Sequence, residues 1–423
     1  MSFTKGLSLA AELDQADPLR SFRDKFHLPE KDGKSLIYLT GNSLGLQPKT
    51  VREHIEQELL DWENLGVEGH FHGKNPWYYY HHFVKEVSEE IVGAKSGEVV
   101  IMNSLTANLH FMLASFYQPK GKRSKILIES HAFPSDQYAA DSHANWHGLE
   151  AEAEVVELQA REGEVTLRTE DILEKIKELG DSLALVMMGG VNYYTGQYFE
   201  LEKITAAAHK VGAFVGFDLA HAAGNVDLQL HDWNVDFAVW CTYKYLNSGP
   251  GGTSGTFVHE KHANNSELPR LAGWWGNDEK TRFEMPRKFV PQSGAAGWQV
   301  SNAQVLPMAA HKASLEIFKE AGIKNLIEKS KKMTSYLDGL LEEINAENND
   351  QLNIITPKAM NERGCQFSIL TGEKGKALYE RLTENNVIAD WREPNVIRIA
   401  PVPLYNTFEE LYQFATLIKD NIQ

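Results

Sequence analysis

Short, unbroken apolar runs alternate with amphipathic stretches through roughly the first 300 residues of the chain. The runs "VVIM" (99–102), "KILIES" (125–130), "LALVMM" (183–188), "AFVGFDLA" (213–220) and "DFAVW" (236–240) have no polar alternation. This is the pattern of strands covered on both faces. Between them, "SLTANLHFMLASFY" (104–117), "TEDILEKIKELG" (169–180) and "ELEKITAAAHKVG" (200–212) carry a helical period, with Gly180 and Gly212 as natural stops. Strands alternating with helices predict an α/β fold around a mainly parallel sheet. After about residue 305 the pattern changes to a long helical stretch broken at Gly322. The short strands "LNIIT", "CQFSIL" and "NVIRIAPV" follow, mixed with helices. The expected organisation is an N-terminal segment 1–50 packed on a small domain, a large domain 51–305, and a smaller α+β domain 306–423.

Composition narrows the class. A chain of 423 residues is too long for one core and suits a large domain with a smaller one. The net formal charge of −16 argues against a nucleic-acid partner, which needs a basic face. No apolar run approaches the roughly 20 residues of a membrane span, and "MSFTKGLSLAAELDQADPL" meets acidic residues before an apolar core can form, so no signal peptide is expected. The two cysteines, Cys241 and Cys365, form no CxxC pair. A reducing, cytoplasmic setting is the simplest reading.

In open α/β sheets ligands bind at the carboxyl ends of the strands, so the polar residues there are the candidates. "NSLTANLH" follows "VVIM", with Ser104, Thr106 and Asn108 at a helix start; "HAFPSD" follows "KILIES"; Asp218 and His221 close "AFVGFDLAH"; Tyr243 and Lys244 follow "DFAVW". Singly, each has an ordinary explanation. Ser104 or Thr106 caps a helix, Asp218 forms a structural ion pair, Phe133 packs in a core, His221 is a satisfied buried histidine, and Lys244 reaches water from a strand end. Together they form the minimum set for pyridoxal 5′-phosphate: an amine for a Schiff base, a carboxylate to keep the ring nitrogen protonated, and a helix N-terminus for the phosphate. Other patterns lack their context. "GPGGTSG" (249–255) precedes a strand instead of opening a helix, so it is no dinucleotide loop, and "HEKH" (259–262) lacks zinc-site spacing. "HFHGKNPWYYYHHF" is either a solvated aromatic cluster or an aromatic substrate pocket.

Several long strings add a resemblance. "GNSLGLQPK", "LTANLH", "AFPSD", "YYTGQ", "VGFDLAHAAGNV", "LHDWNVDFAVWCTYKYLNSGPGG", "KTRFEMP", "SNAQVLPM" and "RIAPVPLYN" span almost the whole chain. In register they resemble the kynureninase family, which has the fold-type I pyridoxal phosphate architecture of the aspartate aminotransferase superfamily. The resemblance implies a seven-stranded, mainly parallel sheet in the large domain. It implies hydrolytic Cβ–Cγ cleavage of L-kynurenine and 3-hydroxy-L-kynurenine to anthranilate or 3-hydroxyanthranilate plus L-alanine, in tryptophan degradation and NAD biosynthesis. Lys244 is then the Schiff-base lysine and proton shuttle, and Asp218 pairs with the pyridinium nitrogen. Phe133 stacks on the ring with Asp136 beside it. Leu105 and Thr106 bind the phosphate, with Tyr243 and His221 nearby. Trp274 and Asn302 reach the cofactor from the partner subunit of a homodimer. Arg398 clamps the α-carboxylate, and Ser43, His70, Ser301 and Asn302 contact the substrate. Two positions depart from the family pattern: Gly189, often Ser, and Asn75, often Arg. The alternative is another fold-type I enzyme, such as a cysteine desulfurase or an aminotransferase. A desulfurase needs a mobile nucleophilic cysteine, and neither Cys241 nor Cys365 sits in a loop free to swing.

Overall fold

A computed structural model describes residues 6–265, 267–348, 352–372 and 375–422. Seven strands form the main sheet: β1 (Val99–Met102), β2 (Lys125–Glu129), β3 (Val155–Leu158), β4 (Leu183–Gly189), β5 (Phe214–Asp218), β6 (Phe237–Trp240) and β7 (Ser254–Val258). Their order is β1-β7-β6-β5-β4-β2-β3; β7 runs antiparallel to β1 and β6, and every other pairing is parallel. The five apolar runs read as strands all lie in this sheet. β3 escaped because its "VVEL" is half-exposed at the sheet edge and never becomes a continuous apolar run. Alternate residues of β1, β2, β4, β5 and β6 feed two cores. Ile101, Leu127, Val186, Val215 and Ala238 face one side, with the helices Thr169–Leu179, Leu201–Lys210 and Val305–Ala321. Val100, Ile126, Leu185, Phe237 and Val239 face the other, with Leu105–Phe116. Gly216 on β5 is required by this packing: a Cβ there would lie 1.9 Å from the Phe237 ring.

A second core gathers around an antiparallel sheet of β8 (Asn353–Ile354), β9 (Phe367–Leu370), β10 (Asp390–Arg392) and β11 (Val396–Ile399), in the order β8-β9-β11-β10. Helices Ile323–Glu347 and Phe408–Asn421 cover it. The N-terminal segment joins this core through Ala10, Ile37 and Leu39, and Ile37–Tyr38 pairs in parallel with Val387–Ile388. Its first five residues lie outside the described residues. The sequence boundary at 305/306 falls where helix Val305–Ala321 begins. Met308, Ala309, Leu315 and Phe318 of that helix belong to the large core, and the second core takes over at Met333. From Thr40, bridged to Ala400, the N-terminal segment crosses to the large domain, where Gly45 N–H donates to Tyr243 O at 2.8 Å. A Cβ on Gly45 would lie 2.3 Å from Lys244 O, so only glycine fits.

The strand leading to Lys244 is anchored at its start. Buried Asp236 accepts from Val215 N–H (2.7 Å), His209 Nε2 (2.9 Å) and His262 Nε2 (2.8 Å), and pairs with Lys261 Nζ (2.7 Å). Burial alone raises its pKa, but the hydrogen bonds from the two histidines and the Lys261 charge hold it well below the usual carboxylate range. A pKa depressed by folding gives stability that is present above the unfolded value of 3.8 and lost as pH falls through the folded one. Asp236→Asn is expected to lower unfolding free energy by roughly 3–5 kcal/mol at pH 7, and to flatten the acid limb of the stability profile. Urea melts between pH 3 and 7 check both.

Candidate active site

The chain turns sharply at each strand end, and these turns aim side chains into one cavity of about 370 Å³. After β1, Asn103 adopts a left-handed φ of +48° and donates to Asn108 Oδ1 (3.0 Å), while Asn108 Nδ2 donates to Met102 O (2.9 Å). Asn108 is thus a buried pin between strand and helix, and it does not line the cavity. The pin leaves Leu105 and Thr106 at the rim as the first residues of helix Leu105–Phe116, whose first-turn amides have no partners within the helix. After β6 the chain passes Tyr243 and Lys244 and leaves through Gly249 (φ +87°) and Gly251 (φ +68°). The glycine run makes a tight turn here.

Lys244 Nζ lies 2.9 Å from His221 Nε2 and 5.9 Å from the centroid of the Phe133 ring. His221 is buried. Its pKa is pushed well below the ordinary histidine value by burial first, then by the charges of Lys244, Arg398 and Arg392. A neutral His221 accepts from Lys244 through Nε2. Asp218, at the end of β5, and Asp136, in the first turn of helix Pro134–Trp146, also line the cavity. Burial raises both pKa values, and for Asp136 the Asp218 charge raises it further. Ala220 N–H donates to Asp218 Oδ1 at 2.7 Å, and the Asp136 and Asp218 carboxyls hydrogen-bond to each other, while Asp136 Oδ1 has no partner among the described residues. Phe133 is 44 % exposed and meets the Tyr193 ring edge-on at 5.3 Å. Burial raises the Tyr243 pKa, so its phenol stays protonated through neutral pH.

The small domain supplies the opposite wall. Arg398 on β11 is 1 % exposed, donates to Tyr193 O at 2.5 Å and pairs with Asp390 of the adjacent strand. Its Nε has no partner. Arg392 stands two residues from Asp390 on β10 and lines the cavity as well, as do Asn42 and Ser43 of the N-terminal segment. Sequence reasoning missed Asn42, Glu129, Tyr193 and Arg392. Glu129 was within reach of the strand-end rule, because it closes the run "KILIE"; Arg392 comes from a short strand of the small domain with no such signal.

Four expected site residues lie elsewhere on the single chain. His70 bonds through Nδ1 to Val67 O and meets Trp77 edge-on at 5.2 Å. Trp274 is 44 % exposed and donates to Arg282 O, and Ser301 and Asn302 are exposed. None of the four lines the cavity. The aromatic stretch they adjoin is organised by buried Glu58, which accepts from Asn75, Trp77 and Tyr80. Asn75 also accepts from Lys312 Nζ (3.0 Å), so a cation stands beside this position despite the missing arginine. In "HEKH", His259 stacks on His231 beside Glu98. His259 Nδ1 accepts from Lys261 N–H at 3.1 Å, and His231 Nδ1 lies 2.9 Å from Glu98 Oε1.

The curated relatives decide the family. The chain is 52 % identical over 422 residues to the kynureninase of Flavobacterium psychrophilum, covering 100 % of this chain and 99 % of that one. It belongs to the kynureninase family. The kynureninase of Nematostella vectensis is 48 % identical over 426 residues, covering 96 % and 92 %. A family model described as the kynureninase C-terminal domain matches residues 326–418, the part that carries Arg398. Among solved structures, the apo cysteine desulfurase of Thermococcus onnurineus superposes with a TM-score of 0.74 at 17 % identity, covering 92 % of this chain and 94 % of that one. An alanine–glyoxylate aminotransferase from Nostoc gives 0.65 at 16 %. At such identities the likeness shows the fold alone, and the fold is that of the fold-type I pyridoxal phosphate enzymes.

In this kynureninase-family cavity the polar groups fit that cofactor. Three buried carboxyls, Glu129, Asp136 and Asp218, line the cavity with a single lysine, and one of them has an orphaned oxygen. A protonated ring nitrogen supplies the missing positive charge, and the free helix N-terminus suits a phosphate. In the cofactor-free protein, Asp136 keeps its proton well above the unfolded value of 3.8. Its contribution to stability is present below that value and lost as pH rises through the folded one. Asp136→Asn is expected to flatten this decline, as read by thermal melts of cofactor-free protein from pH 4 to 8.

Proposed function

We propose that the chain hydrolyses the Cβ–Cγ bond of L-kynurenine and 3-hydroxy-L-kynurenine, giving anthranilate or 3-hydroxyanthranilate and L-alanine. The observation that carries this reading is roughly half identity, over the full chain, to curated kynureninases. Pyridoxal 5′-phosphate is assigned to Lys244; when bound, it supplies an electron sink for the electrons released at the substrate Cα.

The chain's own residues take these roles. Asp218 faces the ring nitrogen, with Asp136 beside it, and Phe133 covers the ring. Leu105 and Thr106 hold the phosphate with the first-turn amides, assisted by His221 and Tyr243. Arg398, fixed by Asp390 and Tyr193 O, presents its guanidinium to the α-carboxylate, with Ser43 at the same wall. Lys244 would move a proton at Cα. Tyr243, kept protonated by burial, donates to the γ-carbonyl oxygen as water adds there. His70, Ser301 and Asn302 contact the aryl end, and Trp274 and Asn302 come from the second subunit of a homodimer. Exposed apolar rings at Trp62, Phe71, Tyr79, Trp274 and Phe283 are consistent with such an interface. A division at 1–50, 51–305 and 306–423 and a cytoplasmic location complete the proposal. No helix among the described residues is long and apolar enough to cross a membrane.

A desulfurase reading is disfavoured by the cysteines. Cys241 and Cys365 are both buried, and burial raises each pKa, that of Cys365 to about 12. Neither offers an accessible thiolate.

Lys244→Ala is expected to abolish the visible cofactor band and to lower anthranilate formation by at least about 1,000-fold. Arg398→Lys should raise KM at least about tenfold with a smaller change in kcat, because it loses the planar fork. Steady-state assays with kynurenine and 3-hydroxykynurenine, followed beside sulfide and keto-acid release, check these outcomes. A colourless protein that releases no alanine from either substrate overturns the proposal.

A further inference from the structure

Glu129 is a buried acid to which the proposed reaction gives no role. It closes β2 and is 3 % exposed. It lines the Lys244 cavity and also a neighbouring cavity of about 480 Å³ on the other side of Tyr193. Its hydrogen bonds come from the main chain alone: Gly189 N–H lies 3.0 Å from Oε1 and 3.2 Å from Oε2. A carboxyl group offers about four lone-pair positions, or three and a donor when protonated, so the main-chain N–H groups of Gly189 and of Glu129 itself leave part of this group's capacity unused inside the protein.

The glycine explains how the acid reaches the site. Gly189 ends β4, between β2 and β5, and pairs directly with Asp218. A Cβ on residue 189 would lie 2.9 Å from Glu129 Oε1, closer than real contacts allow. The Glu129 carboxyl therefore fills the space that a side chain at 189 would need. The charged groups around it are mostly acidic on the strand side: Asp218 and Asp136 line the same cavity, and Glu164 and Glu393 line the neighbouring one. Lys244, Arg392 and Arg398 are the cations of the shared cavity. Burial, with the Asp218 charge adding to it, lifts the Glu129 pKa to about 7 despite the main-chain donors.

We infer that Glu129 is a further cofactor-binding residue, whose carboxyl takes the place of a side chain at position 189 and donates a hydrogen bond to the cofactor. This rests on the assignment of pyridoxal 5′-phosphate to Lys244. It adds a donor at the strand ends, where Asp218 offers an acceptor.

The test uses the full-length protein, stripped of cofactor and titrated with pyridoxal 5′-phosphate at pH 7 while visible absorbance is followed. Glu129→Ala is expected to weaken cofactor binding at least about tenfold, and Glu129→Gln, which keeps an N–H donor, to stay within about threefold. Gly189→Ala should weaken binding by a factor like that of Glu129→Ala, because its Cβ displaces Oε1. The double variant should be no weaker than the worse single one, since both act on one contact. A second readout is the absorbance of bound cofactor against pH: an inflection set by Glu129 is expected in the unmodified protein and absent in Glu129→Gln. Unaltered affinity in Glu129→Ala, or losses that add in the double variant, overturns the inference. If Glu129→Ala does not fold, the other variants decide, and a retained inflection in Glu129→Gln with full affinity in Gly189→Ala overturns it. Failure of the unmodified protein to bind the cofactor, or borohydride trapping on another lysine, overturns the Lys244 assignment itself and is thereby distinguished from failure of the Glu129 inference.

Discussion

Carboxyl groups buried side by side cannot all ionise, and the site is organised around that constraint. Asp136, Asp218 and Glu129 converge on a cavity whose cations are Lys244, Arg392 and Arg398. Asp390 already engages both arginines, which leaves one amine to face three acids. In such a setting protons stay on carboxyls that would lose them in water. A positively charged ring bound in the cavity would change the arrangement, because it would give an ionised Asp218 a partner. The affinity for such a ring is thus partly a release of electrostatic frustration held by the fold.

The fold creates this crowding by ordinary means. Parallel strands end at one edge, so the last residues of β2, β4 and β5 come into line: Glu129, Gly189 and Asp218. Covering both faces of the sheet makes that edge dry. The small domain closes the other side with Arg398, whose guanidinium is fixed by Asp390 and by a Tyr193 carbonyl from the large domain. Asp236, with its two histidines and Lys261, fixes the beginning of β6, the strand whose far end carries Lys244.

Much of this was legible in the sequence, for physical reasons. Strands buried on both faces have unmistakable apolar runs, and the polar residues immediately after them fall at the ligand-binding edge; Asp218, His221, Tyr243 and Lys244 follow from that alone. β3 was not legible because an edge strand need not be apolar on both faces. Asn108 looked like a site residue because a polar side chain at a helix start reads the same whether it binds a ligand or pins a turn. Arg392 and Asn42 were hidden, since they arrive from elements far away in sequence and no local pattern announces where those will dock. His70, Trp274, Ser301 and Asn302 came from resemblance, and one chain does not bring them to the cavity.

The crossing at Gly45 has a mechanical consequence. The N-terminal segment is bonded to the small domain at Ile37–Tyr38 and Thr40, and to the main chain of Tyr243 at Gly45. Only a handful of residues separate the two attachments, and the second allows no room for a Cβ. The segment is in effect a short tether, fastened at one end to the domain that carries Arg398 and at the other to the loop that carries Lys244. A shift of either domain is passed along it to the backbone next to Lys244, so the separation of Arg398 and Lys244 depends on a length of chain as well as on the cores.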